Sequence, residues 1–542
     1  MSASDPRDLI TILAHARAGA VDQAWHLFDA AGLSAIQGDA AALNLKARLL
    51  KDKAIRTCGA GRIDLYSASA GAYEESARIT GASYSLINAA TLARLAGERD
   101  RSENLARAVL ELVEARPDEP ETPYYRAATR AEALLLLDRH DEAQTAFAEA
   151  IASTPRAWED HASTLRQFAL ILAAQGRDSG WLDSHRPPRS LHFGGHMSFD
   201  PKVVRREHLD EKIAAVLEEE NIGFGFGALA AGADIIIAEA LLERGAELHA
   251  VLPGGADAFA AVSVDPFGEA WRRRFEAVLE RAEAVRPIRP IGAVPNGAMI
   301  GLADEVAMGA ALMNGRRLES SAVQLLVLDS AKTVEGASAR SREIWAEGGR
   351  RQRVLTAARE SRVEAPAPDA EKTQTLAVLA VGLGLEIGAR DLLDGLRRVV
   401  ADLPAPLLAP YLTEDRLILA YSGPGEAAEA AIRLLGRATG ARPLRIGGQY
   451  GPASTFDDPF SGTVRLHPSA TAAASAALAS APPGTAIVTD DFAAALAAAG
   501  PHRPASEFVG ELDPPDSGPP VGLYALKSYD QLFQPLGGDD GQ

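Results

Sequence analysis

The sequence predicts a multidomain chain: an all-α helical repeat, then an α/β doubly wound parallel sheet, then an α+β ferredoxin-like domain. Three observations carry this. From Asp8 to about Gln175 the chain is alanine-rich, repeatedly amphipathic and almost free of strand signals. From Ser190 onward, short apolar runs alternate with amphipathic stretches, the alternation that builds parallel sheets. After a stretch of proline and charge at Ser361 to Thr375, short strands and helices follow in mixed order. The expected boundaries are residues 1–178, 188–360 and 370–530.

Composition narrows the function. At 542 residues, about three domains are expected at roughly 150 residues each. A net charge of -18 argues against a nucleic-acid partner, because phosphate backbones require clustered Lys and Arg. Cys58 is the only cysteine, which excludes an intramolecular disulfide and any cysteine-based zinc site. The start of the chain, Met-Ser-Ala-Ser-Asp-Pro-Arg-Asp, has no basic and apolar signal peptide, and no run approaches the ~20 apolar residues of a membrane span. The expectation is a cytoplasmic protein with no membrane partner.

Within the helical region, pairs are predicted at Leu9–Ala18 with Val21–Ala31, Gly71–Thr80 with Leu86–Ala96, and Pro123–Leu137 with Asp141–Ile151. Alanines at 131, 133, 143 and 150 let the last pair approach closely, giving the cadence of a tetratricopeptide hairpin. Tyr84-Ser-Leu-Ile-Asn88-Ala-Ala-Thr91-Leu and Tyr124-Tyr125-Arg-Ala-Ala-Thr-Arg-Ala-Glu132 resemble the TRAFs-binding helical domain over most of residues 50 to 175. That resemblance implies a protein partner held by a scaffold surface, with Asn88 and Glu132 as hydrogen-bond partners between helices.

Residues 176 to 190 read as a linker. Strands are then predicted at Ser190–Gly194, Ile222–Gly227, Glu247–Leu252 and Val323–Leu328. Helices are predicted at Leu209–Glu220, Ala233–Arg244, Pro266–Val285, Leu302–Met313 and Ala337–Ala346. The stretch Asn221 to Pro253 is the core of this region: an apolar strand with alternate glycines, a glycine-rich turn, an amphipathic helix and a second apolar strand. Such a turn is expected to point unpaired backbone N–H groups at the carboxyl edge of the sheet, where phosphates bind. Three places would line that edge: Gly194-Gly195-His196, Gly227 to Asp234, and Asp329-Ser330 to Gly336.

Gly194-Gly195-His196-Met197, Ala230-Ala-Gly232-Ala-Asp234-Ile-Ile-Ile-Ala-Glu239, Leu252-Pro253, Ser263-Val264 and Trp271-Arg-Arg-Arg-Phe275 resemble the SLOG branch of Rossmann-type folds over residues 188 to about 360. The resemblance implies a sensor of a nucleotide-derived ligand, held by Gly194, Gly195, His196, Gly227, Gly232, Asp234, Glu239 and Asp329. Asp234 would hold the turn and Glu239 a ribose hydroxyl; both also have plain structural readings, as a helix cap and a surface residue. Arg272 to Arg274 would neutralise an anion if they faced the cleft. The Pro-Gly-Gly-x-Gly-Thr-x-x-Glu loop of the hydrolytic relatives is not found, which disfavours nucleotide hydrolysis.

In the last region, strands are predicted at Leu376–Val381, Leu444–Ile446, Ala486–Val488, Glu507–Leu512 and Gly522–Leu526, with a hairpin at Pro406–Leu412 and Leu417–Tyr421. Helices are predicted at Ala389–Leu403, Ala427–Thr439, Ser469–Ala481 and Phe492–Ala499. Pro482-Pro483-Gly484-Thr485-Ala486-Ile487-Val488-Thr489-Asp490 resembles the segment before a late strand of class III adenylate and guanylate cyclases. Those enzymes need two metal-binding aspartates, an asparagine and an arginine around the transferring phosphoryl group. Here Val381 ends the first strand, the helix carries Ala472, Ala473 and Ala476, and only Asp415, beside Arg416, survives as a vestigial metal candidate. The resemblance implies a pseudocyclase that keeps a dimer or higher oligomer.

The resulting expectation is a signalling protein with no catalytic residues: helical adaptor, nucleotide sensor and degenerate cyclase homology domain. Two rivals stand beside it, an active cyclase or nucleotide hydrolase, and a structural scaffold with a vestigial cleft.

Overall fold

The computed structural model describes residues 5–17, 20–35, 38–116, 122–197, 208–329, 337–358, 374–383, 397, 400–413, 415–437, 443–500, 504–513 and 519–527. Its compact units are two: the helical region to Pro187 with Arg317–Glu319, and a second unit of Pro188–Arg316 and Ser320–Tyr529 that contains two large sheets and a two-stranded one. Ser330 to Gly336, most of the expected 361–375 linker and most of the expected helix Ala389–Leu403 lie outside the described residues. Among the described residues no helix is long and apolar enough to cross a membrane.

The helical unit is built from α1 (Pro6–Arg17), α2 (Val21–Ala30), α3 (Ala40–Ile55), α4 (Ala60–Thr80), α5 (Ser83–Leu95), α6 (Arg99–Ala115), α7 (Pro123–Leu136), α8 (His140–Ser153) and α9 (Trp158–Ala174). Consecutive helices pack as hairpins, α3 on α4 and α7 on α8 most extensively. Asp39 caps α3 by accepting from Ala41 N and Ala42 N at 2.9 and 3.1 Å, and Thr122 followed by Pro123 starts α7. The alanines do what their size suggests: Ala131, Ala133, Ala143 and Ala150 are fully buried where α7 meets α8. The sequence reading named no helix at the positions of α3, α6 and α9, and α4 starts at Ala60 rather than Gly71. Its buried residues, among them Tyr66, Ala70, Tyr73 and Ala77, are mixed with small and polar ones, so its periodicity is weak.

The first sheet has six strands in the order β4-β3-β2-β1-β5-β6, all parallel. They are β1 (Arg189–Gly195), β2 (Ile222–Gly227), β3 (Glu247–Pro253), β4 (Ala284–Ile288), β5 (Ala322–Asp329) and β6 (Gln352–Ala357). Helices α10 (Leu209–Glu219), α11 (Ala233–Glu243), α12 (Ala256–Ser263), α13 (Glu269–Arg281), α14 (Gly297–Arg317) and α15 (Ala337–Glu347) alternate with them. This is the doubly wound sheet the sequence predicts. The chain runs outward from β1 to β4, then returns to place β5 on the other side of β1, so the order reverses between β1 and β5. Ligands of such folds bind at that switch point.

Both edge strands escaped the sequence reading. The expected helix Pro266–Val285 ends at Arg281, and Ala284 to Ile288 is β4. An edge strand tolerates Pro287 because its outer N–H row has no ladder to lose, so neither β4 nor the polar β6 carries a clear apolar signal.

The second sheet has seven strands in the order β14-β15-β13-β10-β7-β9-β8. These are β7 (Gln374–Gly382), β8 (Tyr411–Thr413), β9 (Arg416–Tyr421), β10 (Arg445–Ala453), β13 (Ala486–Thr489), β14 (Ala505–Leu512) and β15 (Val521–Lys527). A small hairpin, β11 (Thr455–Asp457) with β12 (Val464–Leu466), stands apart from it. Helices α16 (Pro424–Arg437), α17 (Ala472–Ser480) and α18 (Asp490–Ala498) complete the α+β arrangement.

The two sheets are joined within their unit by α14. A Cβ on Gly309 would stand 1.7 Å from the carbonyl oxygen of Ala494 on α18, so only glycine permits this crossing. Tyr450 on β10 donates to Glu305 Oε2 at 2.9 Å. Arg286 on β4 pairs with Asp490 at 2.9 Å and also with Asp491.

Candidate functional site

The candidate site is the carboxyl edge of the six-stranded sheet, where the ends of β2, β1 and β5 lie side by side. Gly194 and Gly195 end β1 opposite Leu326 and Val327 of β5. A Cβ on Gly195 would lie 2.4 Å from Val327 O and 2.7 Å from the Ala233 side chain, so this glycine lets α11 start directly on the strand end. Gly227 ends β2 beside Phe193, whose carbonyl oxygen would be 2.7 Å from a Cβ there. Gly232 caps α11 with φ 129° and ψ -126°, a conformation that side chains resist. It forms a bridge with Met197.

The turn differs from its sequence reading in one respect. Its backbone N–H groups were expected to be unpaired and directed at a phosphate, yet three are spent inside the protein. Ala230 N donates to Asp234 Oδ2 at 3.2 Å, Ala231 N to Ser263 O at 3.0 Å and Ala233 N to His196 O at 3.1 Å. The sequence carried no sign of these partners, which come from distant parts of the chain.

Asp234 does hold the turn. Its carboxyl, 7% exposed, accepts from the backbone of Ala230 and Gly195. Burial pushes its pKa up to about 8, and the nearby Asp304 charge on α14 adds to this against the backbone bonds. His196 continues the edge: its N–H donates to Val327 O at 3.0 Å, tying it to β5. Asp329 is the last residue of β5, in register with Ala357 of β6. Seven of the eight predicted residues therefore gather at one edge. Glu239 does not join them: Arg274 on α13 grips it through two bonds of 2.8 and 2.5 Å, with the guanidinium 4.2 Å over Trp271. Arg272 and Arg273 are likewise engaged, with Glu276 and Glu269. In this arrangement Arg274 joins α13 to α11, while Arg272 and Arg273 pair within α13.

Sequence reasoning missed a second layer. His192, fully buried on β1, accepts at Nδ1 from Gln324 Nε2 at 3.0 Å and donates from Nε2 to Asp304 Oδ1 at 3.0 Å. Gln324 in turn bonds Ser341 Oγ at 3.0 Å, and Trp345 stacks on the imidazole. The next residue on α14, Glu305, accepts from Arg340 at 2.5 Å and from Tyr450 of the second sheet at 2.9 Å. Burial raises the pKa of Glu305 against the pull of Arg340. The available signal was polarity in the wrong place: Ser190 and His192 alternate with Leu191 and Phe193, and Asp304-Glu305 interrupts an otherwise apolar helix.

In the second sheet, Val381 is fully buried on β7 between Leu417 and Ile446. Asp415 is paired with Arg416 at 3.3 Å, and its carbonyl accepts from Leu383 N. Helix α17 lies so close on β10 that a Cβ on Gly447 would be 2.0 Å from Ala474 O, which gives Ala474 and Ala477 a packing role. Among the described residues no group of three or more His, Cys, Asp or Glu side chains is placed to hold a metal ion.

Comparison with known proteins adds the following. The family model TPR-S, Tetratricopeptide Repeats-Sensor, matches residues 9–93. The helical region thus contains tetratricopeptide-like repeats. No curated protein matches the chain. Among solved structures, the adenylyl cyclase CyaB from P. aeruginosa aligns at 16% identity and a TM-score of 0.23, over 29% of this chain and 95% of that one. The guanylate cyclase domain of RhGC from Catenaria anguillulae, in complex with GTP, aligns at 12% identity and a TM-score of 0.24, over 28% of this chain and 96% of that one.

Proposed function

We propose that this is a signalling protein that senses a nucleotide-derived ligand at the carboxyl edge of the six-stranded sheet and passes its occupancy to the seven-stranded sheet. The observation that carries the reading is the pair Asp304-Glu305 on α14. Asp304 bonds His192 and acts on Asp234 at the candidate edge, while its neighbour Glu305 bonds Tyr450 of the other sheet. A ligand that displaces Asp304 shifts the joint, because two adjacent residues of one rigid helix move together. The helical repeats supply a protein-interaction surface, and the family name Tetratricopeptide Repeats-Sensor fits a regulatory role. The seven-stranded sheet acts as a catalytically degenerate cyclase homology domain, because Val381 and an arginine-paired Asp415 offer no metal site.

Titration of the full chain with NAD, ADP-ribose and cyclic nucleotides tests the sensor. Saturable binding weakened by His196→Ala and Gly232→Ala is expected, and no binding of any of them removes the reading. Incubation with ATP or GTP and manganese tests the degenerate domain; formation of a cyclic nucleotide would replace it with the cyclase reading.

A further inference from the structure

One largely buried ion cluster between the two sheets takes no part in the sensor reading. Arg286 on β4 reaches the first turn of α18, where its Nη2 donates to Asp490 Oδ1 at 2.9 Å and also to Asp491 Oδ1. A single guanidinium nitrogen thus serves two neighbouring carboxylates, whose side chains are 22% and 21% exposed. The two are otherwise unlike. Asp490 Oδ1 also accepts from Asp491 N at 2.9 Å, and its Oδ2 from Gly522 N on β15 at 3.2 Å. Gly522 permits that approach, because a Cβ there would stand 3.2 Å from Asp490 Cβ. Among the described residues Asp491 accepts from the guanidinium alone.

Two carboxylates that share one nitrogen repel each other, so the arrangement is easiest to hold when one of them carries a proton. Asp491, with the fewest donors, gains most by keeping it. Arg286 faces it from β4, Asp490 adjoins it on α18, Arg289 lies just beyond β4 with its guanidinium on Pro519 O at 3.1 Å, and Tyr524 of β15 acts on Arg286. Burial pushes the Asp491 carboxyl up to about 6; the Arg286 charge opposes this, the Asp490 charge adds to it, and Arg289 opposes it more weakly. The other buried carboxyl of the joint, Glu305, sits on α14 against Arg340 and Tyr450.

We propose that Arg286, Asp490 and Asp491 form a proton-operated latch between the two sheets, closed when Asp491 is protonated and loosened when it ionises. A neutral Asp491 accepts from Arg286 without repelling Asp490; an ionised one adds a like charge beside it in a site that water barely reaches. Because the folded value lies above the unfolded one, the stabilisation is fully present below about pH 4 and is lost as pH rises through about 6. The latch needs no ligand, so it is independent of the sensor reading.

Hydrogen exchange of the β4 and α18 amides in the full chain, corrected for intrinsic rates and followed from about pH 4 to about pH 7.5, tests it. In an Asp234→Asn background, which removes the titration at the sheet edge, protection should fall at least about fivefold with a midpoint near pH 6; full linkage gives about a hundredfold, and partial exposure reduces it. Asp491→Asn, which cannot ionise, should flatten the profile to within about twofold. Asp490→Asn keeps one acceptor oxygen but loses the repelling charge, and should move the midpoint down. Parallel profiles with and without Asp491→Asn overturn the latch and assign any pH dependence to another group, Glu305 first. An unmoved midpoint in Asp490→Asn also overturns it. Thermal melting checks folding, and Asp490→Asn carries the test if Asp491→Asn fails to fold.

Discussion

Two interior strands, β1 of the first sheet and β7 of the second, are both covered on each face, but they bury different chemistry. On β1, Ser190 and His192 alternate with Leu191 and Phe193, and the polar face is matched by Gln324, Asn314, Ser341 and Asp304. On β7 every residue from Leu376 to Val381 is apolar and essentially inaccessible. A buried polar network is tolerated only if its members are satisfied, and it specifies one arrangement of its helices. An apolar strand specifies only volume. The contrast puts a buried polar network on the central strand of the first sheet and apolar packing on β7 of the second, with α14 between them.

Four measurements break or sharpen that contrast. The largest effect is expected from Gly309→Ala, whose Cβ collides with Ala494 backbone. Overpacking there should cost about 3 kcal/mol or more and separate the melting of the two sheets, read by calorimetry.

Next comes the pH dependence of Asp234. Its folded pKa, about 8, lies above the unfolded value, so the folded state retains a proton that the unfolded chain has released. That contribution is fully present below about pH 4 and is lost as pH rises towards 8, with a slope of at most about 1.4 kcal/mol per pH unit. Wild type should therefore lose about 2 kcal/mol relative to Asp234→Asn between pH 6 and 8 in urea unfolding. Parallel pH curves for the two proteins would show that the carboxyl is not held protonated.

Removal of the Tyr450 hydroxyl is expected to act less strongly. Tyr450→Phe deletes a bond to a buried carboxyl and should cost about 1.5 kcal/mol. It should also abolish any ligand-induced change in hydrogen exchange across β10 while leaving ligand affinity at the edge within about twofold. The smallest effect belongs to Glu239→Gln. Because both partners are about one-third exposed, loss of the Arg274 pair should cost about 0.5 kcal/mol and leave ligand binding unchanged. A tenfold loss of binding would return Glu239 to the ligand.

By itself the sequence determined the order of architectures, the glycine-rich turn after β2 and the apolar strand that runs to Val381, because periodicity, glycine and residue identity are local properties. Of the eight residues it named, seven gather at the sheet edge, four of them glycines at strand ends and in the turn. Tertiary structure decided the rest. Whether Ala230, Ala231 and Ala233 offer their amides to a ligand depends on Asp234, Ser263 and His196 arriving beside them. Whether Glu239 meets a ribose or Arg274 depends on which helix packs across α11. The edge strands β4 and β6, exposed on one side, never needed the apolar pattern that reveals a strand. Nor could the link from Asp304 to His192, 112 residues apart, be read from either segment alone, because a hydrogen bond needs two groups and the sequence displays them one at a time.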